Sequence, residues 1–413
     1  MAKPKIRRRI RWVATILLVL LLLVAGLAWR FWAGRHVAQW QLLQSVIQIE
    51  NAGVNEQTVQ PLGWYLAILG RDDEIRRLNF HPQFDLPALD LESQKLELNV
   101  VPWRVGLQRI AAEHRIVMIM EDHFVSKHRE MIGATLPTFR EAGFTHYAAE
   151  AIGESGASLK SRGYPVVASG FYTSDPKFGN TLRRTLDLEF EVLGYDFRPF
   201  THEGREEFAA SELAKLFKEN SQTRLIVHAG FAHVFKHETE TGQRWLASLL
   251  WEKTGIEPFT IWQWSAMRDG HEYRVVADAI AKLGDFVEPV FVMPPPSTGS
   301  GLRDVPRVDA ILVHPPDLSV APGERTVLFP NEMQRISGQW LTPKWPVVIA
   351  AYKNGEPITA IPLDQVMIRD SEQKFVLWVP ASTKYDIIVF DQYGKLDSSI
   401  ENDRDSVLVR AEK

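Results

Sequence analysis

The hydrophobic and polar positions of the chain fall into blocks of different period. From Trp12 to Trp29 (WVATILLVLLLLVAGLAW) no residue is charged and almost all are apolar. Eighteen residues of helix span about 27 Å, close to the hydrocarbon thickness of a bilayer. Residues 36–50 (HVAQWQLLQSVIQIE) and Trp64–Leu78 carry apolar side chains at helical spacing, and the Pro-containing stretch Asn79–Glu92 reads as loop. Residues 30–95 are therefore expected to form a membrane-proximal helical connector.

Between about 96 and 292 the pattern alternates strand and helix. Arg115–Met120 is a short continuous apolar run, the pattern of a strand covered on both faces. A helix is expected over 127–142, ended by Gly143, then a strand over Phe144–Ala151. Further strands are expected at Val166–Tyr172, Asp196–Phe200, Arg224–His228, Ile256–Trp262 and Val287–Val292, with helices near 178–193, 205–219 and 241–254. Val308–Val313 reads as one more strand, beyond the linker-like 293–301 (MPPPSTGSG). Such alternation implies βαβ units, hence an α/β domain over 96–320 with a mostly parallel sheet and helices on both faces.

From about 325 helical spacing stops. Thr326–Phe329, Pro346–Tyr352, Phe375–Val379 and Tyr385–Phe390 are short β-type runs split by Pro, Gly and Asn, so 325–413 is expected to be a small antiparallel β domain of sandwich type.

Charge changes the reading of the first block. Lys3, Lys5, Arg7, Arg8, Arg9 and Arg11 precede the apolar run, with no acid among them. Cations on that side predict a cytoplasmic N-terminus and a single-pass inner (plasma) membrane anchor, with the bulk of the chain periplasmic or otherwise extracytoplasmic. A cleaved signal peptide with Gly26-Leu27-Ala28 as its small-residue site is the rival. The rest of the chain is mildly acidic, which argues against a nucleic-acid partner. The chain has no cysteine, which removes disulfides, thiol nucleophiles, thiolate metal sites and iron–sulfur clusters.

In open α/β sheets ligands bind beyond the carboxyl ends of the strands. Glu121-Asp122-His123 ends the first strand and Glu150 the second, and a later one runs Leu225-Ile-Val-His228-Ala-Gly230-Phe-Ala-His233. Carboxylates and imidazoles gathered on one edge suit general acid–base work or metal binding. A single His or Glu at a strand end is more often structural, and recurrence at three strand ends makes the functional case. Arg129 near the start of one helix, and Arg205-Glu206 at the start of another, place cations where they oppose the helix dipole. That placement suits holding a carboxylate or a substrate oxyanion. Tyr172, in Gly170–Pro176, is a further ligand contact or part of a turn. Gly153-Glu-Ser155-Gly-Ala157 nearly matches the nucleophile elbow G-x-S-x-G, with Ala in place of the last Gly.

Taken in order, EDH…R (121–129), Glu150, GREEFA (204–209) and HAGFAH (228–233) resemble the erythromycin esterase-like, ChaN-like and Tiki/TraB superfamily over about 110–315, with Asp309-Ala310 matching a late strand. The resemblance implies roles for Glu121, His123, Glu150, Arg205, Glu206 and His233. It spans ester hydrolysis, metal-dependent peptide cleavage and haem-iron binding. Met120 stands where that superfamily usually has Gly.

The combined expectation is a membrane-anchored hydrolase-like protein acting on a small-molecule or peptide substrate. Glu121, His123, Glu150 and His233 would be catalytic, and Arg129, Arg205, Glu206, His228 and Tyr172 would contact substrate. A divalent metal or haem is the cofactor to look for. The alternatives are a haem- or metal-binding protein without turnover and a scaffold for an envelope protein.

Overall fold

The computed structural model describes residues 38–78, 99–196, 202–236, 238, 242–264, 286–293, 308–315, 322–370, 374–403 and 406–411. Helices α1 (Ala38–Ala52), α2 (Val59–Ile68) and α3 (Asp72–Ile75) come first. Then follow β1 (Asn99–Pro102), α4 (Trp103–Glu113), β2 (Ile116–Glu121), α5 (Ser126–Glu141), β3 (His146–Ala149), α6 (Gly156–Arg162), α7 (Pro176–Asp187) and β4 (Glu191–Gly194). Next are α8 (His202–Glu219), β5 (Leu225–Gly230), α9 (Leu246–Thr254), β6 (Phe259–Trp264), β7 (Val290–Met293) and β8 (Ala310–Val313).

These eight strands form one sheet in the order β1-β7-β8-β6-β2-β5-β3-β4. The expected mostly parallel sheet is corrected: the sheet is mixed. β7 pairs antiparallel with both β8 and β1, while β2, β3, β4, β5, β6 and β8 pair in parallel. Helices cover both faces. Met118 and Met120 pack with Ala210 and Leu213 of α8 on one side. Val117 and Ile119 pack with Leu136 of α5 and Leu182 of α7 on the other. Burial on both faces is why β2 reads as an unbroken apolar run.

Two element predictions fail for local reasons. Val166–Tyr172 is not a strand but two single 3-10 turns, Val167–Ser169 and Tyr172–Ser174. Ser169 Oγ accepts from Val166 N (2.9 Å) and Thr173 Oγ1 donates to Gly170 O (2.8 Å), so side chains take up the backbone groups a ladder would use. The following helix stops at Asp187, because β4 occupies Glu191–Gly194; 197–200 lies outside the described residues.

The C-terminal part is a sandwich of two four-stranded sheets, β11-β10-β13-β14 and β12-β9-β16-β15. Its strands are β9 (Met333–Trp340), β10 (Val347–Lys353), β11 (Asp364–Ile368), β12 (Lys374–Pro380), β13 (Tyr385–Asp391), β14 (Gly394–Leu396), β15 (Ser398–Asp403) and β16 (Ser406–Ala411). Ile349 and Val389 face Phe375 and Leu377 between the sheets. Val348, Ala350 and Phe390, on the opposite face, pack against Leu43 and Val46 of α1, Leu66 of α2 and Phe124. The helical segment thus packs on the outer face of the sandwich.

The membrane expectation is corrected as well. No helix among the described residues is long and apolar enough to cross a membrane. The longest, α8, has 18 residues but carries Arg205, Glu206, Glu207 and Glu212. The run 12–29 that prompted the expectation lies outside the described residues. The transmembrane helix, the signal-anchor and the inner-membrane location with an extracytoplasmic bulk are withdrawn.

Candidate functional site

β2, β5 and β3 are adjacent, and their register fixes the site. Glu121 lies beside Gly230 and Ala149 beside His228. The strand-end residues therefore meet at one place on the carboxyl edge, as expected.

Glu121 is buried and saturated. Its Oε1 accepts from His123 Nδ1 (2.8 Å) and Arg129 Nη2 (3.1 Å), and its Oε2 from Arg129 Nε (2.7 Å) and His228 Nε2 (2.9 Å). Burial alone would raise its pKa. Arg129 and His228, with the hydrogen bonds from both histidines, outweigh that and hold it well below the usual carboxylate range. A carboxylate only accepts, so Nδ1 of His123 donates to Glu121, and whenever the ring is neutral the lone pair is on Nε2. The His123 ring stacks on Tyr172, with centroids 4.0 Å apart and planes 12° apart. Tyr172 itself is kept protonated by burial and by Glu150 and Glu121.

Glu150 forms the second half. Its Oε2 accepts from Gly230 N (2.7 Å), and its Oε1 is bonded by Arg205 Nη2 and lies 3.6 Å from His233 Nε2. Burial again opposes ionisation, and His233, His123 and Arg205 outweigh it, so its pKa is well below the usual range. His233 Nδ1 lies 2.9 Å from Glu206, whose carboxylate also accepts from Leu246 N (2.8 Å). Burial would lower the imidazolium; Glu150 and Glu206 instead push it up to about 10. His233 is thus a cation at neutral pH.

The two halves meet over Gly230. A Cβ at that residue would lie 2.7 Å from His123 Nε2 and 2.9 Å from Glu150 Oε2. With only a hydrogen at that position, His123 Nε2 and Glu150 Oε2 can both approach the Gly230 backbone closely.

The structure brings together Glu121, His123, Glu150, Arg129, Arg205, Glu206, His228, His233 and Tyr172. Their surroundings differ from the expected roles in several cases. Arg129 is fully buried and holds Glu121 and Asp175 (2.6 Å) instead of reaching solvent. His228 is buried between Glu121 and Tyr147, whose hydroxyl lies 2.6 Å from Nδ1, and it stacks on Phe178. Glu206 is buried against His233. Arg205 is half-buried: Nε and Nη2 bind Asp196 (2.6 and 2.9 Å), leaving Nη1 uncommitted among the described residues. Ser155 is a helix cap, accepting from Ser158 N (3.2 Å).

Sequence reasoning missed Tyr147, Asp175, Phe178 and Asp196. Asp175-Pro176 was a usable signal, since Asp before Pro marks an N-cap, and Asp175 does cap α7 through Lys177 N (2.8 Å).

Most of the donor atoms that a metal or haem iron would use here are already engaged. Four donors fill both oxygens of Glu121, His123 Nδ1 and His228 are engaged, and both nitrogens of His233 face carboxylates. Among the described residues no group of three or more His, Asp or Glu is arranged to hold a metal ion.

No family model and no curated protein matches the chain. Among solved structures it is similar to the type III effector HopBA1, at 12% identity over 54% of this chain and 98% of that one, with a TM-score of 0.33. It is similar to RRSP, a MARTX toxin effector domain from Vibrio vulnificus CMCP6, at 13% identity over 38% of this chain and 35% of that one, TM-score 0.28. The C-terminal region of Pasteurella multocida toxin, which has a thiol-protease like catalytic triad, matches at 10% identity over 74% of this chain and 48% of that one, TM-score 0.26. Likenesses this distant carry no argument about activity.

Proposed function

We propose that the chain is a hydrolase of an ester, amide or peptide bond, with His123 as general base. The observation that carries the reading is the Glu121–His123 hydrogen bond of 2.8 Å through Nδ1, with Nε2 lying, like Glu150 Oε2, close over Gly230. A water held there gives a proton to Nε2 while its oxygen attacks the carbonyl carbon. The imidazolium then returns the proton to the leaving oxygen or nitrogen. Glu121 fixes the tautomer and balances the imidazolium. Glu150 orients the water. Arg205 Nη1 and the charge on His233 stabilise the oxyanion as it forms. The buried Arg129, His228 and Glu206 hold these groups in place and do not touch substrate. The superfamily resemblance includes ester hydrolysis and peptide cleavage among its implied roles and does not choose among them. The thiol chemistry of the Pasteurella toxin has no counterpart, because the chain has no cysteine.

Turnover of 4-nitrophenyl acetate and of alanine 4-nitroanilide by the full chain in H2(18)O tests it. The product carboxylate is expected to carry the label from either substrate that is cleaved. Release of nitrophenol or nitroaniline without labelled carboxylate, or no turnover of either, overturns the reading.

A further inference from the structure

Arg129, which holds Glu121, is one link in a buried line of alternating charges. Its Nη1 lies 2.6 Å from Asp175 Oδ2. Asp175 Oδ1 lies 3.4 Å from Arg325 Nη1, and Arg325 Nε lies 3.2 Å from Asp364 Oδ1. The side chains of Arg129, Asp175, Arg325 and Asp364 are all 0% exposed. The line starts at the strand-end carboxylate of β2 and ends at the first residue of β11, in the other half of the molecule.

Arg325 also gathers the helical segment. Nη1 donates to Ser126 Oγ (2.6 Å) and Ala67 O (3.1 Å), and Nη2 donates to Ile68 O (2.7 Å), at the end of α2. Gly70 (φ +69°) makes room: a Cβ there would lie 2.7 Å from Gln365 O and 3.3 Å from Arg325 Nη2. All three parts of the chain thus converge on one guanidinium, one carboxylate away from the Arg129–Glu121 pair.

Removing one partner of a buried charge leaves that charge uncompensated, which favours a shift toward the partner that remains. If Arg325 is displaced, Arg129 is the cation that Asp175 keeps among the described residues, and Asp175 draws that guanidinium toward itself. Arg129 Nε and Nη2 then loosen from Glu121, and the contacts of Glu121 with His123 and His228 change. We propose that Asp175 and Arg325 are positioning residues for the Glu121–His123 pair, so that the β sandwich is a working part of the site. Calling that pair catalytic rests on the proposed function; the coupling along the line does not.

The test needs no substrate. The full chain is labelled with (13)C in its histidine rings, and the His123 and His228 signals are assigned with His123→Asn and His228→Asn. Arg325→Lys keeps the charge but not the fan of hydrogen bonds, and Asp364→Asn removes only the last charge. In both variants the His123 and His228 signals are expected to shift, while those of His114 and His146, at the other end of the strands, stay in place. Folded variants with unchanged His123 and His228 signals overturn the proposal. If Arg325→Lys does not fold by circular dichroism, Asp364→Asn decides. Absence of any hydrolysis would sink the proposed reaction and leave the shifts; absence of the shifts would sink the coupling and leave the reaction.

Discussion

His233 Nδ1 lies 2.9 Å from the Glu206 carboxylate, on the opposite nitrogen from the one that faces Glu150. A cation between two acids makes stability depend on pH in a set direction. The ordinary imidazole value is about 6.5, and here it is pushed up to about 10. A raised value means the contribution is whole below about 6.5 and is lost as pH rises through about 10. The urea midpoint is expected to fall across that window, and His233→Gln is expected to flatten the fall. An equally steep fall in the variant would contradict the assignment.

Glu121 and Glu150 act with the opposite sign. Both are held well below the usual range, so their contribution is present above about 4.3, the free glutamate value, and is lost as pH falls through their lowered values. Glu121→Gln is expected to unfold at a higher urea midpoint relative to wild type at acid pH than at pH 7. Measuring both midpoints at each pH checks the sign.

Gly230→Ala separates site from fold. The backbone of Gly230 is ordinary (φ −74°), so alanine adds no strain there. Its methyl group would press on His123 Nε2 and Glu150 Oε2. Activity is expected to drop on the order of 100-fold, as for an ångström-scale displacement of reacting groups, with a nearly unchanged melting temperature. A large loss of melting temperature with full specific activity would go against this.

Tyr147→Phe leaves buried His228 Nδ1 without the hydroxyl it is hydrogen-bonded to. An unmet buried donor or acceptor costs about 1–3 kcal/mol, to be read from urea denaturation at pH 7. A loss below the error of that measurement would mean that His228 finds another partner.

The sequence exposed the site better than the fold. The strand ends were legible because β2 and β5 are buried on both faces, so their apolar runs stop abruptly at Glu121 and Gly230. Neighbouring strands then brought Glu121, Glu150 and His233 together. What was not legible was pairing. Nothing in Val290–Met293 distinguishes a strand that runs antiparallel to β8 from one that runs parallel. β10 hides its second partner in the same way: Val347–Tyr352 is buried on both faces, and only the packing of α1 and α2 on it reveals why. Arg129 looked like a substrate contact because a cation at a helix start is unusual; the explanation is the pair of buried acids, Glu121 and Asp175, that it joins.

The central claim is that His123 is the base. Its most direct test is the turnover of 4-nitrophenyl acetate by the full chain and by His123→Asn, side by side, with circular dichroism to show that the variant is folded. The account predicts a kcat lower by at least about 100-fold, the usual worth of a general base, with KM little changed. A folded His123→Asn protein that turns over at the wild-type rate would contradict it.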